Sequence, residues 1–531
     1  MPHHPAFSAS SVTRRLSATA LAVTLAMFIA GCAVGPDYQR PSTTIPASYK
    51  EAPEGWKVAQ PADQTDRGAW WSVYHDTRLD DLETRLNQSN QSIAQFAAAY
   101  RQARALVGEA RAAYFPTLGA TASASRSGTG AGNRSTSSSS FGQQGSVNDQ
   151  YSVALDASWE PDLWGSVSRT VTAQKAGQQG AAADLANARL SAQATLAQTY
   201  FQLRSLDAQQ RLLDDTVAAY EQSLRLTQNQ YAQGIVARSD VIQAQTQLQS
   251  AQASAIDNGV ARAQFEHAIA VLVGEPASTF SIPPIPLDAT PPTVPVQMPS
   301  AILERRPDIA SAERKAAAAN EQIGVEMAAY FPTLTLSVQG GFESSVLSQL
   351  LRAPSRFWTL GPDIAATIFD GGLRSARTEA ARAAYDQNVA TYRQTVLTAF
   401  QDVEDNLASL RILEKEVVVQ QQAVESAQQA LTIINNQYRA GTVAYISVLT
   451  AQTTAFTAQQ KLANIAGQRM VSSVGLVKAL GGGWDVAQMN RETGGVEAPA
   501  AASAVSAASA ASAVSAASAA SVTSSTQTAN R

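Results

Sequence analysis

Apolar residues follow two periods along this chain, and the two alternate. Val396, Phe400, Val403, Leu407, Leu410 and Val417 are spaced 4-3-4-3-7, the seam of a long packed helix. Leu196, Tyr200 and Leu203 keep part of that pattern. Both stretches lie in proline-free runs, Asp162 to Glu275 and Asp363 to Ala498. The pattern predicts helices of 66 residues over Val167 to Ala232 and 68 residues over Leu373 to Ala440. Either would be roughly 100 Å long at the rise of an α-helix. Each ends near a glycine, Gly234 or Gly441, and a second helix follows, Asp240 to Val273 or Ile446 to Leu480. Each pair reads as a helical hairpin with a glycine turn.

Before each long helix the period changes to two. Tyr151, Val153, Leu155, Ala157 and Trp159 alternate with Ser152, Ala154, Asp156 and Ser158. Leu334, Leu336, Val338, Gly340 and Phe342 alternate with Thr333, Thr335, Ser337, Gln339 and Gly341. This is the signature of strands with one apolar and one polar face. Thr117 to Ser125 and Trp358 to Phe369 are weaker partners. The lengths suit a tilted crossing of a bilayer, and the polar face suits a watery lumen.

The two periods recur because the chain is duplicated. Ala-Ala-Tyr-Phe-Pro-Thr-Leu occurs at Ala112 to Leu118 and at Ala328 to Leu334, an offset of 216 residues. Gln230-Tyr231-Ala232-Gln233-Gly234 is echoed by Gln437-Tyr438-Arg439-Ala440-Gly441 at an offset of 207. Val271 to Gly274 is echoed by Lys478 to Gly481 at the same offset. The nine extra residues fall in the Gly/Ser/Asn-rich loop Ser127 to Gly145, which reads as an exposed outer loop. Each repeat carries helix, strand, strand, long helix, helix. The repeats span 79–275 and 300–484, joined by a linker over 276–299 that holds eight prolines.

Four strands cannot close a barrel, and a free strand edge is not tolerated in lipid. The chain is therefore expected to share a barrel with copies of itself. Two copies give eight strands, whose interior is filled by side chains. Three copies give twelve, the first count that leaves a lumen.

The ends add a location. Residues 1–31 read as a secretory signal, with Arg14 and Arg15 before an apolar stretch of fifteen residues, Leu16 to Ala30. That stretch is too short to span a bilayer. It leads into Ile29-Ala30-Gly31-Cys32, which resembles the lipobox of bacterial lipoproteins. The resemblance implies that Cys32 becomes the N-terminus and carries diacylglycerol and palmitate. Ala33 at the next position favours the outer membrane by that analogy. Cys32 is the chain's one cysteine, so no internal disulfide or cysteine metal site is expected. Residues 32–78 read as a lipidated N-terminal segment. Residues 485–531 end in a tail from about Ala498 of almost pure Ala, Ser and Val, expected to be disordered and given no function.

Composition narrows the chemistry. The formal net charge is -4, and no basic patch suggests nucleic acid. Of four histidines, His3 and His4 lie in the signal, leaving His75 and His267 far apart. No phosphate loop, zinc pair or nucleophile elbow is present, so an enzyme is not expected and no cofactor beyond the lipid is implied. The six methionines, two of them Met1 and Met27, give no hint of a copper or silver path.

Taken together, the ordered motifs resemble the TolC-like outer-membrane factors of tripartite export systems, in particular their nodulation-protein-type lipoprotein subgroup. The residues are Cys32-Ala33-Val34-Gly35-Pro36-Asp37-Tyr38 with Pro41, Trp70-Trp71, both Ala-Ala-Tyr-Phe-Pro-Thr-Leu copies, and Trp159 to Gly165. Glu304-Arg305-Arg306-Pro307-Asp308-Ile309 and Phe369-Asp370-Gly371-Gly372 complete them. The resemblance implies a mainly α fold with transmembrane β: a homotrimer sharing a 12-stranded β-barrel and a long periplasmic α-helical barrel. It implies a periplasmic adaptor and an inner-membrane pump, of the proton-driven resistance-nodulation-division type, as partners. The expected function is passive export of drugs or small toxic molecules. An exit duct for type I protein secretion or metal-ion efflux has the same fold and stays open.

The resemblance also assigns the helix tips. Gly234, Ser239, Gly441 and Ser447 match turns where the adaptor docks. Tyr438 matches a tyrosine of a closed-state hydrogen-bond network, with inter-helix packing as its other reading. Ile446 matches an apolar constriction. Thr450 stands where some relatives carry a cation-selecting Asp, so an acidic ring at that level is not expected. Asp240 is a candidate partner in the network, and equally a helix-start residue favoured by the dipole.

Overall fold

The computed structural model describes residues 33–46, 48–51, 69–128, 147–288, 290–292, 305–484, 489–490 and 493. The signal, Cys32, most of the Ser127–Gly145 loop and the Ala/Ser-rich tail lie outside these residues. After a 3-10 turn at Trp70–Tyr74 come α1 (Thr77–Ser89), α2 (Gln91–Ala112), β1 (Thr117–Gly128) and β2 (Val147–Trp159). The first repeat ends with α3 (Ser166–Ala232) and α4 (Arg238–Leu272). The second has α5 (Pro307–Ala328), β3 (Thr333–Ser344), β4 (Arg356–Ala365), α6 (Leu373–Arg439) and α7 (Tyr445–Ala479). Among the described residues no helix is long and apolar enough to cross a membrane.

Both long helices have 67 residues and start by one device. A glycine in the left-handed region, Gly165 or Gly372, turns the chain out of the sheet. An aspartate then caps the free amides. Asp162 accepts from Val167 N at 3.1 Å and Ser168 N at 2.7 Å. Asp370 accepts from Gly372 N at 3.0 Å and Arg374 N at 3.2 Å. These anions also suit the helix dipole.

The short helices stack in pairs. Asn90 joins α2 to α4: its Oδ1 accepts from Ile93 N at 2.9 Å, while its Nδ2 donates to Leu272 O at 2.8 Å. Arg306 joins α5 to α7, donating to Ala479 O at 3.2 Å and to Asp402 at 3.1 Å. The helical body is thus a wall of four columns. α3 packs between the α2/α4 column and the α5/α7 column, and α6 lies beyond α5/α7. The 4-3 seam is buried here, with Val396, Phe400, Val403 and Leu407 against Ile309 and Leu476.

A collar covers one face of this wall. Trp70, Trp71 and Tyr74 pack with Leu79, Leu82 and Leu86 of α1 on Tyr200 and Phe201 of α3 and on Met470 and Val474 of α7. The proline-rich segment joins them, at least through residue 288. Phe280 and Ile282 are buried in the same core. Ile282 N donates to Glu266, Ile285 N to Asp207 and Leu287 N to Arg204 O. The expected tether is, over this half, a clip that holds α4 to α3.

Glu83 of α1 is fully buried in the collar, and among the described residues neither carboxyl oxygen has a hydrogen-bond partner. Desolvation, reinforced by Asp80, pushes its pKa up to about 9. The folded carboxyl therefore stays protonated where the unfolded one ionises. Its contribution is fully present below the unfolded value of 4.5 and is lost as pH rises towards 9. Glu83→Gln removes this slope. The variant is expected to gain stability over the parent between pH 5 and 8.5, on the order of a few kcal/mol. Thermal melts of both proteins across that range test this, and a pH-independent difference would contradict it.

The four strands form one antiparallel meander in the order β1-β2-β3-β4. β2 and β3 pair across the repeats, Ala157 opposite Val338 and Trp159 opposite Leu336. The fourth strand ends at Ala365, short of the expected Phe369. Ile368 and Phe369 instead lie on the approach to the Asp370-Gly371-Gly372 turn, where Asp370 claims the local amides.

Candidate functional site

The sheet has two unlike faces, set by its register. Leu118, Leu155, Val338, Leu360 and Ile364 share one face and are all exposed. The other face carries Thr121, Ser123, Ser152, Asp156, Gln339 and Asp363. Ser123 and Ser152 share a hydrogen bond of 2.8 Å across β1 and β2. Gly119 makes room for Asp156, since a Cβ there would come within 2.7 Å of the carboxylate. The pleat thus sorts residues into a lipid-compatible and a water-compatible surface. Among the described residues β1 and β4 each have an edge without a partner strand.

The described N-terminus is strapped down the wall from the foot of this sheet. Val34 N donates to Trp164 O at 3.2 Å, and Ala33 lies against Gly165. The buried Arg169 donates to Gly35 O, Pro36 O and Glu321. Tyr38 donates to Glu313 at 2.9 Å, and Glu404 accepts from Lys50 N and Glu51 N. Burial raises the Tyr38 hydroxyl, and Glu313 adds to the effect. Cys32 itself lies outside the described residues, but its neighbour Ala33 sits at the β2–α3 junction.

At the far end, about 100 Å away along α3 and α6, the two hairpins meet. Tyr438 is buried and donates to Gln230 Oε1 at 2.8 Å. Tyr445 is almost fully buried, shares a hydrogen bond of 3.2 Å with Ser223, and packs on Tyr438 with ring centroids 5.6 Å apart. Ala244 and Val448 complete this small core. Burial pushes both tyrosine hydroxyls up, and the charge of Asp240 adds to the shift. The α6–α7 tip is thereby fastened to α3 of the other repeat.

The expected tip residues divide between this core and the surface. Tyr438 is in the core. Asp240 is half-buried and accepts from Ser239 Oγ at 3.3 Å, while the Tyr438 hydroxyl goes to Gln230. Asp240 acts on Tyr438 through its charge rather than through a hydrogen bond. Ile446 and Thr450 are exposed one turn apart, and Thr450 Oγ1 donates to Ile446 O at 2.9 Å. Thr453 and Thr454 continue that face with the same back-bond, so it is hydroxylated and uncharged. Gly234 and Gly441 both have φ +73 and open space around them. Ser239 is exposed and Ser447 half-exposed beside them.

Sequence reasoning missed Tyr445, Gln230 and Ser223. The available signal was an aromatic residue directly after the tip turn, where the first repeat has Arg238 at the 207-residue offset. The echo of Tyr438 at that offset, Tyr231, is exposed. The two tips are copies in backbone but not in packing.

Known proteins share this architecture. The chain matches the family described as outer membrane efflux protein over residues 83–275 and 298–482. A probable efflux pump outer membrane protein of Pseudomonas putida, TtgC, is 33% identical over 491 residues, 91% of this chain and 99% of the relative. The pyoverdine export outer membrane protein OpmQ of Pseudomonas aeruginosa is 32% identical over 439 residues, 82% of this chain and 91% of its own. Among solved structures, the outer-membrane channel OprN superposes with a TM-score of 0.78 at 28% identity, covering 85% of this chain and all of that one. The strand meander, the paired helical columns and the duplicated motifs all fall within these matches, and the chain belongs to the outer membrane efflux protein family.

Proposed function

We propose that three copies of this chain form the outer-membrane exit duct of a tripartite pump that expels drugs or other small toxic molecules. The duct is passive and performs no covalent chemistry. The observation that carries this reading is a four-stranded sheet, apolar on one face and polar on the other, with both edges open above 67-residue helices. Such edges must pair in a bilayer. The helical wall supports the same closure. Exposed Ile256 and Val260 lie on α4 and exposed Leu397 and Val419 on α6, at opposite ends of the four columns. A head-to-tail contact between such unlike edges gives a ring when the rotation between copies closes, as the shared barrel requires.

Lipid on Cys32 would enter the membrane at the β2–α3 junction, where Ala33 is held. The tips around Gly234 and Gly441 would meet a periplasmic adaptor, and a proton-driven inner-membrane pump would supply substrate and energy. The test is deletion and complementation in the host. Deletion is expected to lower the tolerated concentration of dyes, detergents and antibiotics at least about fourfold, and the wild-type gene to restore it. Cys32→Ser is expected to abolish labelling by radioactive palmitate. Unchanged sensitivity over a broad panel would refute drug export, and persistent labelling would refute the anchor.

A further inference from the structure

We propose that the bore wall carries a resting site for amphipathic cations at the level of the collar, with Asp405 as its charged residue. The proposal rests on the reading of this face as the bore. A recess of about 780 Å³ opens between α3, α4, α6 and α7. That volume is in the range of sites for drug-sized ligands. Leu206 and Ile412 supply apolar surface, Phe265 reaches in from the edge of the collar core, and Gln202 and Gln468 supply hydrogen-bonding groups.

Helix phase places the recess on the face away from the collar. On α3, Arg204 and Asp207 hold the proline-rich segment through Ile285 and Pro286. Gln202 and Gln209 point about 160° round the helix from them. On α7, Ser473 is bonded to Tyr74 of the collar, and Asn464 points about 180° away. On α3 the recess residues thus turn away from the proline-rich clip, and on α7 away from the collar. Three collars facing inwards would fill the bore, so in a closed ring the side opposite the collar is read as the lumen.

The chemistry of the lining selects the occupant. Among the described residues that line it Asp405 is the one that is charged, and it is exposed on α6. Its carboxylate accepts one bond, from Gln401 Nε2 at 3.3 Å. Gln209 is already tied to Asn464 at 2.6 Å, which keeps that side of the recess in place. A flat or branched apolar body with a positive group would cover Phe265 and Ile412 and meet Asp405. An anion would meet the carboxylate with no compensating cation in the lining. The feature belongs to the second repeat alone. At the 207-residue offset Gln198 and Ser205 replace Asp405 and Ile412. A ring of three chains would therefore carry three such sites rather than six. Binding must stay weak if the duct is to conduct, because a site has to be left as readily as it is reached.

The experiment uses the full-length assembled protein in nanodiscs, with rhodamine 6G as a cationic probe and fluorescein as an anionic one, read by anisotropy. Saturable rhodamine binding is expected, weakened by added salt. Asp405→Asn should weaken it about fivefold, Ile412→Gln should also weaken it, and fluorescein should not saturate. Both positions are exposed, and size-exclusion chromatography verifies that each variant still assembles. Absence of saturable rhodamine binding, or unchanged binding in both variants, overturns the site. Complementation keeps the two readings apart. A wild-type gene that restores dye resistance while its protein binds no probe overturns the site and leaves the export function standing.

Discussion

Gly274→Val and Gly481→Val are each expected to abolish recovery of the assembled protein. These glycines end α4 and α7 at the joints where the short helices stack. Gly274 has φ +73 and Gly481 φ +93, a region that β-branched side chains avoid. Strain of that kind costs roughly 1–3 kcal/mol. A second cost is added by the neighbours. A Cβ at Gly274 would lie 2.4 Å from Ser89 O, and one at Gly481 would lie 2.1 Å from Arg305 O. Both atoms are backbone and cannot swing aside, so the helical columns would have to part. Gly234 and Gly441 form an internal control, because they share φ +73 but have nothing within 4 Å. Gly234→Ala should therefore cost only roughly 1–2 kcal/mol and leave assembly intact. Membrane yield and heat-resistant oligomer on gels would separate the two classes. Normal yield of Gly481→Val would show that the stacked joint is not rigid.

Tyr445→Ala is expected to produce the largest functional change, a leaking tip. Tyr445 is the wedge that holds the start of α7 against α3, through Ser223 and the ring of Tyr438. Emptying a buried aromatic site costs about 3–5 kcal/mol. Here the loss falls on a core of four buried residues at a free helix end, so it releases the tip before it unfolds the wall. Cells with a chromosomal deletion, carrying the variant, should become at least about tenfold more sensitive to vancomycin than cells carrying the parent, because each 1.4 kcal/mol shifts an open–closed ratio tenfold. Tyr438→Phe keeps the ring and loses the hydroxyl's bonding to Gln230 and Thr227, so its effect should be several-fold smaller. Ile446→Gly should also raise the leak by widening the exposed face of α7. Vancomycin sensitivity unchanged in Tyr445→Ala would show that the tip is held by contacts other than this core.

Much of the fold could be read from the chain because long helices and strands are periodic. The long helices were placed within one residue at each end, at Ser166–Ala232 and Leu373–Arg439. The strands followed from alternation, and the open sheet follows from their number. What escaped has no period. The collar joins the Trp70-Trp71 pair to Phe280, far along the chain, and they meet only over the packed helices α3, α4 and α7. The clip of Ile282, Ile285 and Leu287 is held by backbone amides, which leave no side-chain signature. At the tip, Tyr438 was legible as an echo of Tyr231, but its burial depends on a partner helix from the other repeat. Tyr445 has no echo, so repetition could not point to it.

The β2–β3 pairing has a consequence for symmetry. Within one chain it joins the two repeats as neighbours in the sheet, the same kind of joint that β4 must make with β1 of the next copy. A ring of three chains is then a ring of six hairpin units, alternately linked by peptide and by contact. Duplication in one gene let the two kinds of unit diverge, so that one holds a tyrosine clasp while the other keeps Tyr231 exposed. A docking partner would meet six tips of two alternating kinds. Loosening the three of one kind would change the aperture while the three of the other kind kept their grip.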